Sequence, residues 1–308
     1  MPYRYYIYGM HVESDIKIEE ALVDSSDNVA DVCYRIGQMP EPERTELASF
    51  PIDKFTLKRI NDGVIFRIAD TADYYVTKDC ITFSPIDGAD SNRIKCFLLG
   101  SSSGFMFVLR QMVAIHGGGI AKNGKGVIIT GESGAGKSTV ANSLRDRGYE
   151  FISDDVCVIT KKHDEVRINL AYPQQKLCRD AALRMGYSLD ELIYINEDRD
   201  KFAVRLKDGF RAEGEKFSYL FEIMLSNYEN DEDDVSFTEL VGHDALAAII
   251  RNIYRGSDAF SLFGIKPMYM KLLLDIAKDI KVYQIKRPKG RDTLDYIVEK
   301  LEQVILQD

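Results

Sequence analysis

Residues 131–138 read Gly-Glu-Ser-Gly-Ala-Gly-Lys-Ser, the full G-x-x-x-x-G-K-[ST] spacing, which restricts both the local fold and the ligand. Such a loop works only between a strand and a helix. Gly126, Val127, Ile128, Ile129 and Thr130 form a short β-branched run before it, and from Lys137 onward Val140, Ala141 and Leu144 fall on one helical face until Gly148. The glycines let backbone N–H groups turn inward around phosphate oxygens, and the helix N-terminus adds partial positive charge there. The candidate nucleotide-binding stretch is therefore Gly131, Glu132, Ser133, Gly134, Ala135, Gly136, Lys137, Ser138 and Thr139. Within it, Lys137 is expected on the β- and γ-phosphates and Ser138 on Mg²⁺.

The reaction is not fixed by the loop, since hydrolases, switches and kinases share it. A chain of 308 residues with 45% hydrophobic residues has an ordinary globular composition, and its formal charge of −9 argues against a nucleic-acid face built from bulk positive charge. Any anion site must be local. No run is long and apolar enough for a membrane span, and the N-terminus lacks the pattern of a secretory signal. Five widely spaced cysteines, Cys33, Cys80, Cys96, Cys157 and Cys178, read as buried free thiols, which fits a reducing cytoplasm.

Along the chain, residues 1–90 read as a β-rich N-terminal domain, with strands at 3–12 and 32–36 and hairpins across 55–83 turning at 61–63 and near 78–79. Residues 84–92 read as a linker, and 91–308 as a second domain that carries the phosphate loop. This second part starts with helical spacing at 93–112 and a hairpin turning at Asn123-Gly124 into the loop strand. A strand at 149–153 and a hairpin turning at His163-Asp164 follow, then helix at 177–187. Residues 196–200, 207–216 and the acidic 228–234 read as surface loops. The remainder reads as a strand at 218–225, helices at 239–254 and 266–280, a strand at 282–285 and a closing helix at 293–306.

The strand 149–153 ends in Asp154-Asp155 and is expected beside the loop strand, which would deliver both carboxylates to the bound phosphates. One acid can hold Mg²⁺, and the other can accept a proton from an attacking hydroxyl, a task a simple switch does not need. His116 precedes three glycines just before the loop strand, which suggests close approach of backbone or ligand. His11, His163 and His243 lack such a context.

These residues together, Ile115-His116-Gly117, the loop with its strand, Arg147-Gly148-Tyr149 and Ser153-Asp154-Asp155, resemble the catalytic domain of HPr kinase/phosphorylase and its relatives. The resemblance implies an α/β fold similar to phosphoenolpyruvate carboxykinase, with a core of mixed sheet and helices and ATP and Mg²⁺ as cofactors. It also implies that Asp154, Asp155, His116 and Lys137 are catalytic, and that Ser138, Asp154 and Asp155 hold the metal. The family's glycine-rich E-[IV]-R-G-L-G segment is here Glu165-Val166-Arg167-Ile168-Asn169-Leu170, which puts phosphorylase activity and HPr as substrate in doubt. The opening Tyr5-to-Met10 pattern and residues 171–177 look more like HPr-kinase-like proteins of lasso-peptide clusters, which phosphorylate a serine of a precursor peptide.

The expected activity is thus a cytoplasmic Mg·ATP-dependent serine kinase acting on a peptide or small protein, without nucleic-acid or membrane partners. The rivals are a small-metabolite kinase of the free-serine type and a non-catalytic ATP-binding regulator. The bifunctional relatives assemble into hexamers, and homo-oligomerisation of this chain stays open. Lys176, Arg251, Arg255, Lys286, Arg287, Lys289 and Arg291 are candidate cations for the acceptor or the γ-phosphate.

Overall fold

The computed structural model describes residues 2–39, 41, 45, 55–196, 200–206, 208–211, 213–226 and 235–307, so the acidic run 228–234 lies outside the described residues. The chain divides into two compact units, each built from separate stretches. Residues 1–112, 176–205 and 255–266 form one, and 113–175, 206–254 and 267–308 form the other. A single cut at 90/91 does not describe this division.

The first unit opens with β1 (Tyr3–Ile7), β2 (Met10–Ser14), β3 (Leu22–Val23), β4 (Val32–Ile36), β5 (Phe55–Ile60), β6 (Gly63–Ile68), β7 (Ala72–Val76) and β8 (Cys80–Pro85). They form one sheet in the order β3-β1-β2-β4-β8-β7-β6-β5. The hairpin turns fall where the sequence predicts them. Period-two burial puts Tyr5, Ile7, Tyr34 and Tyr74 on an inner face against α1 (Ser91–Phe97), a π-helical turn (Leu98–Ser102) and α2 (Ser103–Leu109). Tyrosine hydroxyls satisfy themselves in that helical backbone: Tyr8 Oη donates to Leu99 O (3.1 Å) and Tyr74 Oη to Ile94 O (3.0 Å). Asp90, read as linker, caps α1 by accepting from Asn92 N.

One expectation is overturned here. Cys33 and Cys80 are not free thiols but a disulfide, because the parallel pairing of β4 and β8 sets them directly opposite with Cα atoms 4.6 Å apart. Cys96, Cys157 and Cys178 take no part in a disulfide, and the first two are buried.

The second unit begins with β9 (Val113–Lys122) and β10 (Lys125–Gly131), a hairpin around Asn123-Gly124, then α3 (Lys137–Asp146), β11 (Glu150–Ser153), β12 (Val156–Lys162) and β13 (Glu165–Ile168). Next come β14 (Gln174–Cys178), α4 (Arg179–Arg184), β15 (Ile193–Asn196) and β16 (Asp200–Arg205), with strand order β14-β16-β15; from residue 176 to 205 these belong to the first unit. The helix expected over 177–187 therefore starts only after β14. The second unit resumes with β17 (Glu215–Ser226), β18 (Ser236–Leu240) and α5 (Gly242–Arg251); α6 (Gly256–Phe263) belongs to the first unit, and α7 (Pro267–Asp279), β19 (Lys281–Pro288) and α8 (Leu294–Leu306) complete the second. Residues 239–240 are strand rather than helix, because β18 pairs antiparallel with β19 and the sheet overrides local preference.

The large sheet of this unit is mixed. β10, β17 and β19 run parallel, β9 runs against β10, and β11 runs against β9. Strand β11 is therefore not beside the loop strand as expected; β9 lies between them. A closed circuit also exists, since β9 pairs β12, β12 pairs β13, β13 pairs β17 and β17 pairs β10. Val127, Ile129, Tyr219, Phe221, Ile223 and Ile285 pack with Val140, Leu144, Ile297, Leu301 and Ile305, so α3 and α8 cover one sheet face. The fold class is mixed α/β. Among the described residues no helix is long and apolar enough to cross a membrane.

Candidate nucleotide and acceptor site

Strands β10, β11, β17 and β19 point the same way, so their C-terminal ends share one edge of the sheet. Open α/β sheets bind ligands at such an edge. The 131–138 loop leaves β10 there. Gly131 has φ +131°, and a Cβ on it would sit 2.0 Å from Ile223 O of β17. Only glycine fits this position. Lys137 folds back, with Nζ donating to Gly131 O (2.9 Å) and Glu132 O (3.0 Å), while Glu132 Oε1 accepts from Leu225 N (2.8 Å). Ala135 is fully buried, whereas Glu132, Ser133 and Gly134 are exposed, and Ser138 and Thr139 enter the first turn of α3 half-buried. The helix has Gly136 at its N-cap and no side-chain cap, which leaves its first amides for a ligand.

Asp154 and Asp155 lie between β11 and β12, both strands pairing the same β9. Asp155 is a non-glycine residue at φ +64°, and its carbonyl accepts from Gly117 N (3.2 Å). Left-handed backbone in an aspartate is uncommon and costs energy unless neighbours hold it. His116 sits across from it, with Nε2 3.3 Å from Asp155 Oδ1 and its ring edge-on to Tyr254 at 5.9 Å. Gly117 cannot be larger, since a Cβ would lie 2.4 Å from Ile129 O. The structure thus brings His116 and Asp155 together, and sets Asp154-Asp155 and the loop at the same sheet edge.

Sequence reading missed the group behind the loop. Register places Thr130 beside Glu222 and Glu222 beside Gln284, all on the face opposite α3. Glu222 is 2% exposed and accepts from Arg251 through both Nε (2.6 Å) and Nη2, from Asn252 Nδ2 (2.7 Å) and from Gln284 Nε2 (3.2 Å). Burial pushes its carboxyl up, yet the Arg251, Asn252 and Gln284 donors outweigh burial and hold the pKa below the ordinary glutamate value. Asn252 also faces Thr130 Oγ1 (2.9 Å) through Oδ1, and its carbonyl accepts from His116 N (2.8 Å). One side chain therefore links β10 and β17 while its backbone holds β9. The only sequence hint was Arg251 among the candidate cations; a glutamate in an apolar strand gave no other sign.

The other cations divide. Lys176 (Nζ 3.2 Å from Cys96 Sγ) and Arg255 (bonded to Ser101 Oγ and paired with Asp258) belong to the first unit. Arg287 touches the loop itself, with Nη1 3.4 Å from Ala135 O. Lys286, Lys289 and Arg291 are exposed nearby in sequence.

The residues fit a magnesium nucleotide. Uncapped helix amides, an open crest where nothing lies within 4 Å of a Cβ on Gly134, and a lysine at the loop suit phosphates. Among the described residues there is no cluster of three or more His, Cys, Asp or Glu side chains that could hold a metal alone. Magnesium does not need one, since it takes one or two carboxylates and completes its shell with substrate phosphates and water. Ser138 and Asp154-Asp155 supply such hard oxygen donors.

Residues 108–177 match the model of the HPr Serine kinase C-terminal domain. The chain is 47% identical over 51 residues to the HPr kinase/phosphorylase of Chloroherpeton thalassium, covering 17% of this chain and 15% of that protein. It is 40% identical over 63 residues to the HPr kinase/phosphorylase of Lachnoclostridium phytofermentans, 20% of this chain and 20% of that protein. These matches therefore span no more than 20% of either relative's length. The Hpr(Ser) kinase/phosphatase of Coxiella burnetii aligns over 63% of this chain and 97% of its own, at 15% identity and a TM-score of 0.32. The family likeness of this chain lies in residues 108–177, the HPr Serine kinase C-terminal domain match that holds the loop, its helix and the paired aspartates.

Proposed function

We propose that this protein is a Mg·ATP-dependent kinase that transfers the γ-phosphoryl group to a serine hydroxyl of a peptide or small protein. One observation carries the reading: the loop ends its strand at the same sheet edge as Asp154-Asp155, and His116 lies 3.3 Å from the Asp155 carboxylate. A nucleotide switch needs the loop; a transferase also needs a base facing the acceptor.

In this reading the loop amides and Lys137 hold the phosphates, and Ser138 with Asp154 would hold magnesium. When bound, the metal neutralises charge between the β- and γ-phosphates. Asp155, oriented by His116, takes the proton of the serine hydroxyl. The serine oxygen forms its bond to γ-phosphorus as the bond from that phosphorus to the β,γ-bridging oxygen breaks, and ADP leaves with the electron pair. Catalysis is then mostly positioning and charge neutralisation. The reaction belongs in the cytoplasm, where ATP is supplied, and a precursor peptide of a peptide natural product is the first acceptor to try.

The test is transfer of label from γ-labelled ATP to peptides encoded beside the gene. Wild-type protein is expected to label a serine, and Lys137→Ala and Asp155→Asn to fall by about 10³-fold or more while melting normally. Retained transfer in Lys137→Ala sinks the assignment. Nucleotide binding with no transfer to any acceptor, and no difference for Asp155→Asn in slow hydrolysis, would leave a binding regulator instead.

A further inference from the structure

Arg287 stands at the end of β19, two strands from β10 across β17, where register sets it beside Leu225. Its guanidinium reaches the last turn of the loop: Nη1 lies 3.4 Å from Ala135 O and 3.0 Å from the position a Cβ on Gly136 would take. Nη2 donates to Arg291 O (2.8 Å), and Nε is buried without any hydrogen-bond partner. Among the described residues no carboxylate forms an ion pair with it.

This is an expensive place for a cation. The positive end of α3 starts at Gly136, Lys137 already lies over the loop, and an arginine stays charged at any relevant pH. A 3.4 Å contact to a carbonyl is weak compensation, and a buried unpartnered donor adds to the cost. An anion resting on the loop would relieve all three. A guanidinium fork can keep donating to the Arg291 carbonyl on one side and donate to a phosphate oxygen on the other.

Resting on the kinase reading above, we infer that Arg287 is a phosphate-binding residue of the nucleotide site. Its position beside Ala135 and Gly136 selects which phosphate it meets. The loop's amides cradle the α- and β-phosphates, whereas the lysine reaches towards the γ-phosphate. Arg287 therefore binds the diphosphate part shared by ADP and ATP, and acts on affinity rather than on transfer.

Calorimetric titration of the full chain with MgADP and with MgATP tests this. Arg287→Met is expected to weaken both by about tenfold or more, the loss of a charge-assisted contact, with an unchanged melting temperature. Lys289→Met, which removes an exposed cation two residues away, is expected to stay within about twofold of wild type, as surface charges do. Arg287→Lys should recover part of the affinity, because an ammonium cannot span both partners. Wild-type affinity in Arg287→Met overturns the inference, as does equal weakening in Lys289→Met, which would mean diffuse charge. Weakening of MgATP alone overturns the placement at the diphosphate. If Arg287→Met does not fold, Arg287→Lys decides: loss for both nucleotides supports the contact and full affinity refutes it. No MgATP binding by wild type would sink the kinase reading and this inference together; binding with Arg287→Met indistinguishable from wild type would sink only the latter.

Discussion

The two neighbours of β10 support the loop by opposite means. On the β9 side the contact is made by absence: Gly117, Gly118 and Gly119 carry no side chain, and Gly117 lets Ile129 O come where a Cβ would be only 2.4 Å away. On the β17 side it is made by charge, with Glu222 buried against Thr130 and held by Arg251, Asn252 and Gln284. The first neighbour is joined by the two-residue turn Asn123-Gly124; the second arrives only after the β14-β16-β15 sheet has been laid down. A short-range support can be written in backbone shape, while a long-range one needs side chains that recognise each other.

If both supports matter, breaking either should cost the loop, but with different signatures. The largest effect is expected for Gly131→Ala, whose Cβ would overlap Ile223 O at 2.0 Å on a backbone at φ +131°; nucleotide binding should vanish in a titration with MgADP. Gly117→Ala should destabilise the second unit by about 2–4 kcal/mol in denaturant melts, since backbone rather than a flexible side chain must move. Arg251→Met leaves a buried carboxylate with neutral donors only. A loss of about 2 kcal/mol is expected, less than for a fully buried pair because Arg251 is itself 41% exposed.

The same pair gives a pH signature that the glycine side lacks. A folded-state pKa below the ordinary value means that Glu222 adds stability above the unfolded carboxylate pKa and loses it as pH falls through the folded one. Melting of the second unit should therefore drop on acidification below the usual glutamate range, and Glu222→Gln should start lower and flatten that slope. An unchanged slope would remove Glu222 from the account. Smallest is Thr130→Val, which takes the hydroxyl from His116 O (2.6 Å) and Asn252 Oδ1 (2.9 Å): about 1 kcal/mol in the same melts.

What was legible follows the same division. The β9–β10 hairpin, its Asn123-Gly124 turn, the loop and α3 could be read because each is a local pattern with a steric reason. Pairing of β11 with β9 instead of β10 could not, since strand order is a tertiary choice that leaves no mark in the residues 149–153 themselves. Glu222 was invisible because an acid in an apolar strand is meaningful only beside its partners, 29 and 30 residues on. The Cys33–Cys80 bond was lost for the same reason: it depends on β4 and β8 lying in parallel, 47 residues apart.

The closed circuit of β9, β12, β13, β17 and β10 has a consequence for birth of the protein on the ribosome. Gly131 takes its shape against Ile223, so the loop cannot be set until β17 has emerged and the ring has shut. A nascent chain that has delivered the whole 131–138 sequence is still without a nucleotide site. Long-range pairing of this kind is slow to form, which makes nucleotide capture a late event of synthesis: the chain acquires its ligand only after about a hundred further residues have followed the motif that names it.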